Sequence, residues 1–309
     1  MQRFRPMFST PRRVDSPVLE RKLQPTMKGK VCIVTGATSG IGRVTALELA
    51  KMGATVVAVA RDPAKGRALL DEMRNAAGAE AHLLLCDFSA QTAIRQLAAD
   101  FKAKFDRLDV LVNNAGAVLG ERRVTADGLE TTFATNHLGY FLLTNLLLDV
   151  LKASAPARIV SVASEAHRNA RLDWDDLQYA RRPYSSTGAY GASKLANIAW
   201  SAELARRLAG TGVSSNALHP GVVATNFGQS GSTLVRVGVK LIRPFLIDAI
   251  KGADTSIYLA ASSEVTEVTG KYFIKRKPAV PNRQASDPET GRRLWDISER
   301  LVAASAAAA

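Results

Sequence analysis

Tyr190 and Lys194 stand four residues apart in Tyr-Gly-Ala-Ser-Lys, about 150 residues after the glycine-rich turn at positions 35–42, Thr-Gly-Ala-Thr-Ser-Gly-Ile-Gly. On a helix, residues i and i+4 share a face. A free tyrosine titrates near ~10, and a neighbouring ammonium favours its phenolate and draws that value down. A phenol held this way can give a proton to a developing alkoxide or take one from an alcohol. The spacing alone is weak evidence, since an exposed helix produces it by coincidence. Its surroundings strengthen it: Gly191, Ala192 and Ser193 fill the gap, and Leu195, Ala196, Ile198, Ala199 and Trp200 continue a helix that must be buried on one side.

The glycine turn supplies the second half of a reaction centre. Gly36-x3-Gly40-x-Gly42 differs from the spacing G-x-G-x-x-G, but the physics is shared. Glycine lets backbone approach phosphates, and the helix that follows points N–H groups and a positive dipole at them. Thr38, Ser39 and Ile41 complete this cradle, Ser39 with a hydroxyl. Together the two motifs point to hydride transfer between a nicotinamide cofactor and a carbonyl or alcohol. Arg61 follows the next strand-like run, 19 residues past Gly42. An acidic residue there suits the ribose 2′-hydroxyl of NAD, whereas arginine suits a 2′-phosphate, so NADP(H) is favoured over NAD(H). Asp62 beside it keeps NAD(H) open as the alternative.

These residues need a frame. From residue 30 onward, short apolar runs alternate with helical patterns. Strands are expected at 30–35, 55–60, 82–86, 110–113, 158–163 and 214–218, with a seventh at 272–274. Helices are expected at 41–52, 64–76, 90–105, 129–152 and 190–208. That alternation predicts an α/β fold: one doubly wound parallel sheet of Rossmann type, with helices on both faces. The domain is expected to span 28–305, after a basic extension over 1–27.

The motifs taken in order, 35–42, Asn113-Asn114-Ala115-Gly116, Asn136, Ser164, Tyr190-x3-Lys194 and Pro220-Gly221, resemble the short-chain dehydrogenase/reductases over about residues 28–275. The stretch 135–144, the turn Ser164-Glu165-Ala166-His167, and the stretches 193–197 and 219–225 resemble its retinol-dehydrogenase-like branch. The resemblance implies an NAD(P)-dependent oxidoreductase acting on CH–OH groups. Tyr190 would be the acid/base, Lys194 would also hold the nicotinamide ribose, and Ser164 would hydrogen-bond the substrate oxygen. Asn136 would bind, through its side chain, a water leading to Lys194. Asp87 and Phe88 would meet the adenine, and Asn113, Ala115 and Gly116 would line the adenosine ribose. Pro220, Gly221 and Val222 would flank the nicotinamide, with Thr225 on its carboxamide or the phosphates. Blander roles stay open: Asp87 and Ser89 suit a helix cap, and 113–116 suits a turn that steadies the sheet. One departure stands out. Ser164 and Tyr190 are 26 residues apart, so an insertion over 167–187 lies between them, containing Trp174, Asp175, Asp176, Tyr179, Arg181, Arg182 and Pro183. It is expected either to shape one wall of the substrate site or to be a surface excursion.

Composition narrows the remaining options. The chain has 309 residues, 47% of them hydrophobic, and a net charge of +13. Residues 1–26 hold six Lys or Arg and Pro6, Pro11, Pro17 and Pro25, and lack the apolar stretch of a secretory signal. No run of 18 apolar residues predicts a membrane span. Cys32 and Cys86 fall in apolar runs and read as reduced, buried thiols, which fits a cytoplasmic setting. No metal-ligand spacing exists, and no nucleic-acid motif accompanies the charge. The segment 234–246 is rich in aliphatics and carries Arg236, Lys240 and Arg243 on one face. It is expected to act as a lid, within about 225–250, over a lipophilic alcohol or carbonyl substrate; peripheral contact with a membrane is the alternative. The resemblance also allows a homo-oligomer built through helices 129–152 and 190–208. A non-catalytic dinucleotide-binding sensor is the rival from outside enzymes, and intact Ser164, Tyr190 and Lys194 argue against it.

Overall fold

Runs rich in Val, Ile and Leu become the strands of one sheet: β1 (Val31–Thr35), β2 (Thr55–Ala60), β3 (Ala81–Leu85), β4 (Val110–Asn113), β5 (Ala157–Val162), β6 (Val213–His219), β7 (Tyr272–Ile274) and β8 (Lys277–Ala279). A computed structural model describes residues 26–221 and 249–306. The strand order is β3-β2-β1-β4-β5-β6-β7-β8. The first seven strands run parallel. The eighth, which the sequence pattern did not announce, folds back antiparallel on β7 as a three-residue edge.

Side chains alternate along each strand between two cores. Ile33, Val57, Leu111 and Ile159 pack on one face with Phe141 and Trp200. Cys32, Val34, Val56, Ala58, Val110, Val112 and Val160 pack on the other with Leu49 and Phe273. Both faces are covered, which is why the strands read as unbroken apolar runs. Cys32 and Cys86 are free, buried thiols, and burial pushes both pKa values up. Helices α1 (Gly40–Lys51), α2 (Pro63–Ala77) and α3 (Gln91–Lys102) lie close to their expected places. Asp62 starts α2, its carboxylate accepting from the Ala64 and Lys65 amides at 2.9 and 3.1 Å, with Pro63 in the first turn.

Two helices differ from expectation. The stretch expected as one helix over 129–152 is broken into a turn at Thr131–Phe133, a π-turn at Ala134–Leu138, and helices Gly139–Leu146 and Leu148–Ala153. The Tyr190 helix begins earlier, at Ser186, and runs to Arg207. Ser185 caps it by accepting the Gly188 amide at 3.1 Å. Along it lies the terminal helix, Pro288–Ala306. Trp295 meets Phe141 edge-on at 5.0 Å, and Arg207 sits 4.1 Å over the Trp295 ring. Most of the Tyr190 helix between Ala189 and Ala205 is thereby buried inside a single chain. These are the helices on which self-association was expected. The lid segment, the basic extension up to residue 25, Val222 and Thr225 lie outside the described residues.

The chain enters at β1 and later returns beside it at β4, so the topological switch point lies between their C-terminal ends, where ligands settle in such sheets. The opposite end is pinned by Asp109, only 2% exposed. Its carboxylate accepts from the Val31 amide, Lys30 Nζ and Arg107 at 2.6–2.9 Å. Burial opposes its ionisation, but these hydrogen bonds win and hold its pKa below the ordinary value. A depressed carboxylate stabilises above its unfolded pKa and loses that contribution as pH falls through the folded one. Asp109→Ala should therefore cost about 2–4 kcal/mol in urea unfolding at neutral pH. The gap from the unmutated chain should narrow as the pH is lowered toward about 3.

Candidate active site

The switch-point end of the sheet is clamped by Thr35 and Asn114. Thr35 Oγ1 accepts the Asn114 and Ala115 amides at 2.8 and 3.0 Å, and Asn114 Nδ2 donates to the Thr35 carbonyl at 2.8 Å. The sequence reading missed both roles, although both residues lie within the quoted motifs. Glycine is required twice in this clamp. A Cβ on Gly42 would lie 2.3 Å from Asn114 Nδ2 and 2.4 Å from the Gly36 carbonyl oxygen, and Gly36 itself sits at φ 64°. Ser39 precedes α1 in extended backbone and makes no side-chain cap, leaving the first-turn amides and its own exposed hydroxyl for another partner. Thr38, Gly40 and Ile41 are half-buried around this turn. Such a cradle fits the pyrophosphate of a dinucleotide.

The other residues expected around a dinucleotide are placed unevenly. Arg61 is exposed at the end of β2, while its neighbour Asp62 is committed to capping α2. Asp87 is exposed and accepts from the Ser89 amide and hydroxyl at 2.9 and 2.8 Å, a local turn; neither residue caps α3, which starts from Ala90 without a side-chain cap. The Phe88 side chain is buried in the core against Gly139, where a Cβ would come within 2.7 Å of it. Asn113 is fully buried and donates to Thr144 Oγ1 at 3.0 Å, steadying the sheet. Gly116 faces inward: a Cβ there would lie 3.2 Å from Asn136 Oδ1 and 3.7 Å from Lys194 Nζ. Pro220 and Gly221 follow β6 at the same end of the sheet, Gly221 at φ 88°.

Ser164, Tyr190, Lys194 and Asn136 are brought together. Ser164 leaves the end of β5 and opens the short helical turn Glu165–Asn169. Gly191 lets that turn approach the Tyr190 helix: a Cβ there would come within 2.8 Å of the Ala166 carbonyl oxygen. This sets the Ser164 side chain beside the Tyr190 phenol, whose pKa it draws down. The competing Ser161 lies three residues earlier, within β5 opposite Asn113, and is fully buried. Lys194, 2% exposed, donates through Nζ to the Val162 carbonyl at 2.8 Å. Its ammonium stands 5.7 Å from the Tyr190 ring centroid and 5.5 Å from that of Tyr140. Asn136 is engaged at both ends: Nδ2 donates to the Ala117 carbonyl and Ser193 Oγ at 2.9 and 3.1 Å, and Oδ1 accepts the Ala117 amide at 2.7 Å. Both its protons are held by protein, so the side chain ties two segments together, and the second lone pair of Oδ1 is what remains for the expected water.

Electrostatics also correct the sequence reading. Burial pushes the Tyr190 phenol up to about 12, against the pull of Ser164. Burial pushes Lys194 down to about 7. In this geometry desolvation outweighs the lowering of the phenol expected from the ammonium. The insertion is built around Asp176, which accepts the amides of Ala180, Arg181 and Arg182 at 2.6–3.2 Å. A cavity of about 400 Å³ lies between it and the terminal helix, lined by Trp174, Leu177, Arg293 and Ile297 among others. None of Ser164, Tyr190 and Lys194 lines that cavity.

Comparison with known proteins agrees with this arrangement. Residues 30–233 match the short chain dehydrogenase family. Human retinol dehydrogenase 13 is 43% identical over 283 residues, covering 90% of this chain and 86% of that protein. Mouse retinol dehydrogenase 12 is 42% identical, covering 89% and 86%. Among solved structures, an uncharacterised protein from Mycobacterium paratuberculosis superposes with a TM-score of 0.74 at 33% identity, covering 91% of this chain and 96% of that one. An actinorhodin polyketide ketoreductase with NADPH superposes at 0.62 and 28% identity, covering 79% and 94%. The chain belongs to the short-chain dehydrogenase/reductase family, in its retinol-dehydrogenase-like branch. It is accordingly an NAD(P)-dependent oxidoreductase acting on alcohols and carbonyls.

A lysine whose folded pKa is depressed costs stability at every pH below its unfolded value, and the cost grows until the folded pKa is passed. Lys194→Met should thus raise the melting temperature at neutral pH, with the gain shrinking as pH rises toward about 10. Thermal melts across that range check it.

Proposed function

We propose that this protein interconverts a lipophilic alcohol and its aldehyde or ketone with NADP(H), using Tyr190 as general acid/base. The observation that carries the reading is the placing of Ser164 beside the Tyr190 phenol, with the buried Lys194 ammonium 5.7 Å from its ring, at the carboxyl end of the sheet. Bound in the glycine cradle, the nicotinamide dinucleotide supplies or accepts the hydride. Tyr190 exchanges the proton with the substrate oxygen, and Ser164 Oγ holds that oxygen and stabilises its charge. Lys194 has one donor on Val162 and two further protons with which to hold ribose hydroxyls and favour the phenolate.

Cofactor choice rests on Arg61. The nearby carboxylate that would favour NAD(H) belongs to Asp62, and its hydrogen bonds turn it toward its own helix, leaving the exposed guanidinium for a 2′-phosphate. The solved relatives bound to NADP or NADPH support the same choice. A lipophilic substrate is supported by the relatives named retinol dehydrogenases. Asp87, through the carboxylate oxygen that does not hold Ser89, is assigned to the adenine. Pro220 and Gly221 are assigned to the nicotinamide.

Parallel fluorescence titrations with NADPH and NADH should show tighter NADPH binding. Arg61→Asp should reverse that preference, shifting the ratio by about tenfold or more. Tyr190→Phe should keep NADPH binding and lower carbonyl reduction by at least about a hundredfold. Equal binding of the two cofactors would remove the Arg61 assignment, and full activity in Tyr190→Phe would remove the mechanism.

A further inference from the structure

One polar thread crosses the apolar core behind the reaction centre. His137 is fully buried among Phe133, Phe141 and Trp200, at centroid separations of 5.0, 6.4 and 6.2 Å. Its Nδ1 lies 3.2 Å from Asn197 Oδ1, and its Nε2 lies 2.9 Å from Ser298 Oγ on the terminal helix. Asn197 Nδ2 donates to the Asn136 carbonyl at 2.8 Å. These contacts fix the direction of every bond. Because Asn197 turns its amino group to a carbonyl, its Oδ1 faces the imidazole and accepts from Nδ1–H. Nε2 is then the acceptor and takes the Ser298 hydroxyl proton. Burial lowers the imidazole pKa to about 4, so the ring stays neutral in that tautomer.

Three polar side chains in an apolar core are costly unless each is satisfied, and here each is. Their end point explains them. At the π-turn the Gly139 amide bonds to the Ala134 carbonyl, five residues back, so the helical ladder is shifted around Asn136. An outside donor then steadies the displaced backbone, and Asn197 is that donor. The neighbouring Lys194 and Ser193 lie on the same helix as Asn197, and Ser193 Oγ receives the Asn136 side chain.

We infer that Ser298, His137 and Asn197 are positioning residues that set the backbone of Asn136 and, through its side chain, the spacing between the Ala117 loop and the Tyr190 helix. The inference rests on the reading of Asn136 and Tyr190 as parts of the reaction centre.

The test uses the full chain with Asn197→Leu, His137→Phe, Ser298→Ala and Ser298→Thr, and with Asn136→Ala as reference. Hydrogen exchange is followed over 131–146, NADPH binding by fluorescence, and turnover with NADPH and all-trans-retinal as probe. Asn197→Leu should speed exchange over 136–141 by about tenfold or more, while the strands of the sheet keep their protection. It should lower kcat by about tenfold with the NADPH Kd changed less than about twofold. Ser298→Ala should move the same readouts less, and Ser298→Thr, which keeps the hydroxyl, should restore them. Unchanged exchange in 131–146 overturns the inference whatever the activity. So does a uniform loss of protection across the sheet, which marks a merely structural role. If Asn197→Leu does not fold, Ser298→Ala and His137→Phe decide by the same criteria. Full turnover in Asn136→Ala, or none in the unmutated chain, refutes the reading of the reaction centre, and the exchange data still judge the thread.

Discussion

A single carboxamide joins the parts of this molecule that must act together. Asn136 reaches the Ala117 backbone in the loop after β4 with one hand and Ser193, within the Tyr-Gly-Ala-Ser-Lys motif, with the other. Besides that tie, the helix bearing the phenol and ammonium is held to the sheet by the Lys194–Val162 and Ser201–Ser215 hydrogen bonds, and otherwise by apolar contacts, which are non-directional. Apolar packing tolerates small sliding; an amide with both protons held in a dry interior does not, since a slip leaves buried donors unpaired. The π-turn is the cost of aiming that amide inward, and Gly116 is where a side chain is omitted so that the loop can close on it.

Desolvation is the second constraint, and it acts on every functional group at once. The phenol, the ammonium and the imidazole of His137 are all pushed toward their neutral forms. Neutrality is what permits so much polar chemistry inside a core that also holds Trp200, Phe141 and Leu195. A ligand that brings compensating groups shifts that balance back toward charge, which couples the ionisation of the site to its occupancy.

Much of this was legible in the sequence, and the failures are instructive. The strands announced themselves because a sheet covered on both faces needs unbroken apolar runs, and even three-residue β7 was visible in Tyr272–Ile274. The glycine turn and the Tyr–Lys spacing were legible because their chemistry restricts residue types locally. The break at Asn136 was not, since the apolar pattern continues through it and its cause is tertiary: partners at Ala117, Ser193 and Asn197, up to 61 residues away. The helix start at Ser186 was hidden by polar Ser185 and Thr187, which read as loop until seen as a cap. The direction of the Tyr190 shift was missed because pairing with Lys194 can be read from spacing, whereas burial cannot. Asn114 lay inside a quoted motif, yet nothing local says that its amide grips the glycine turn 78 residues earlier.

The hydrogen bond between His137 and Ser298 spans 161 positions of chain. During synthesis from the N-terminus, the glycine cradle, Asn136 and the Tyr190 helix all leave the ribosome before residue 298 does. Until then Trp200 and Phe141 lack Trp295 and the rest of the terminal helix as cover. The nascent chain therefore passes a stage at which it carries all of its proposed catalytic side chains but does not yet hold the aromatic cover over their helix. That stage is when a chaperone has something to hold, and when a prematurely stopped chain would be recognised as unfinished.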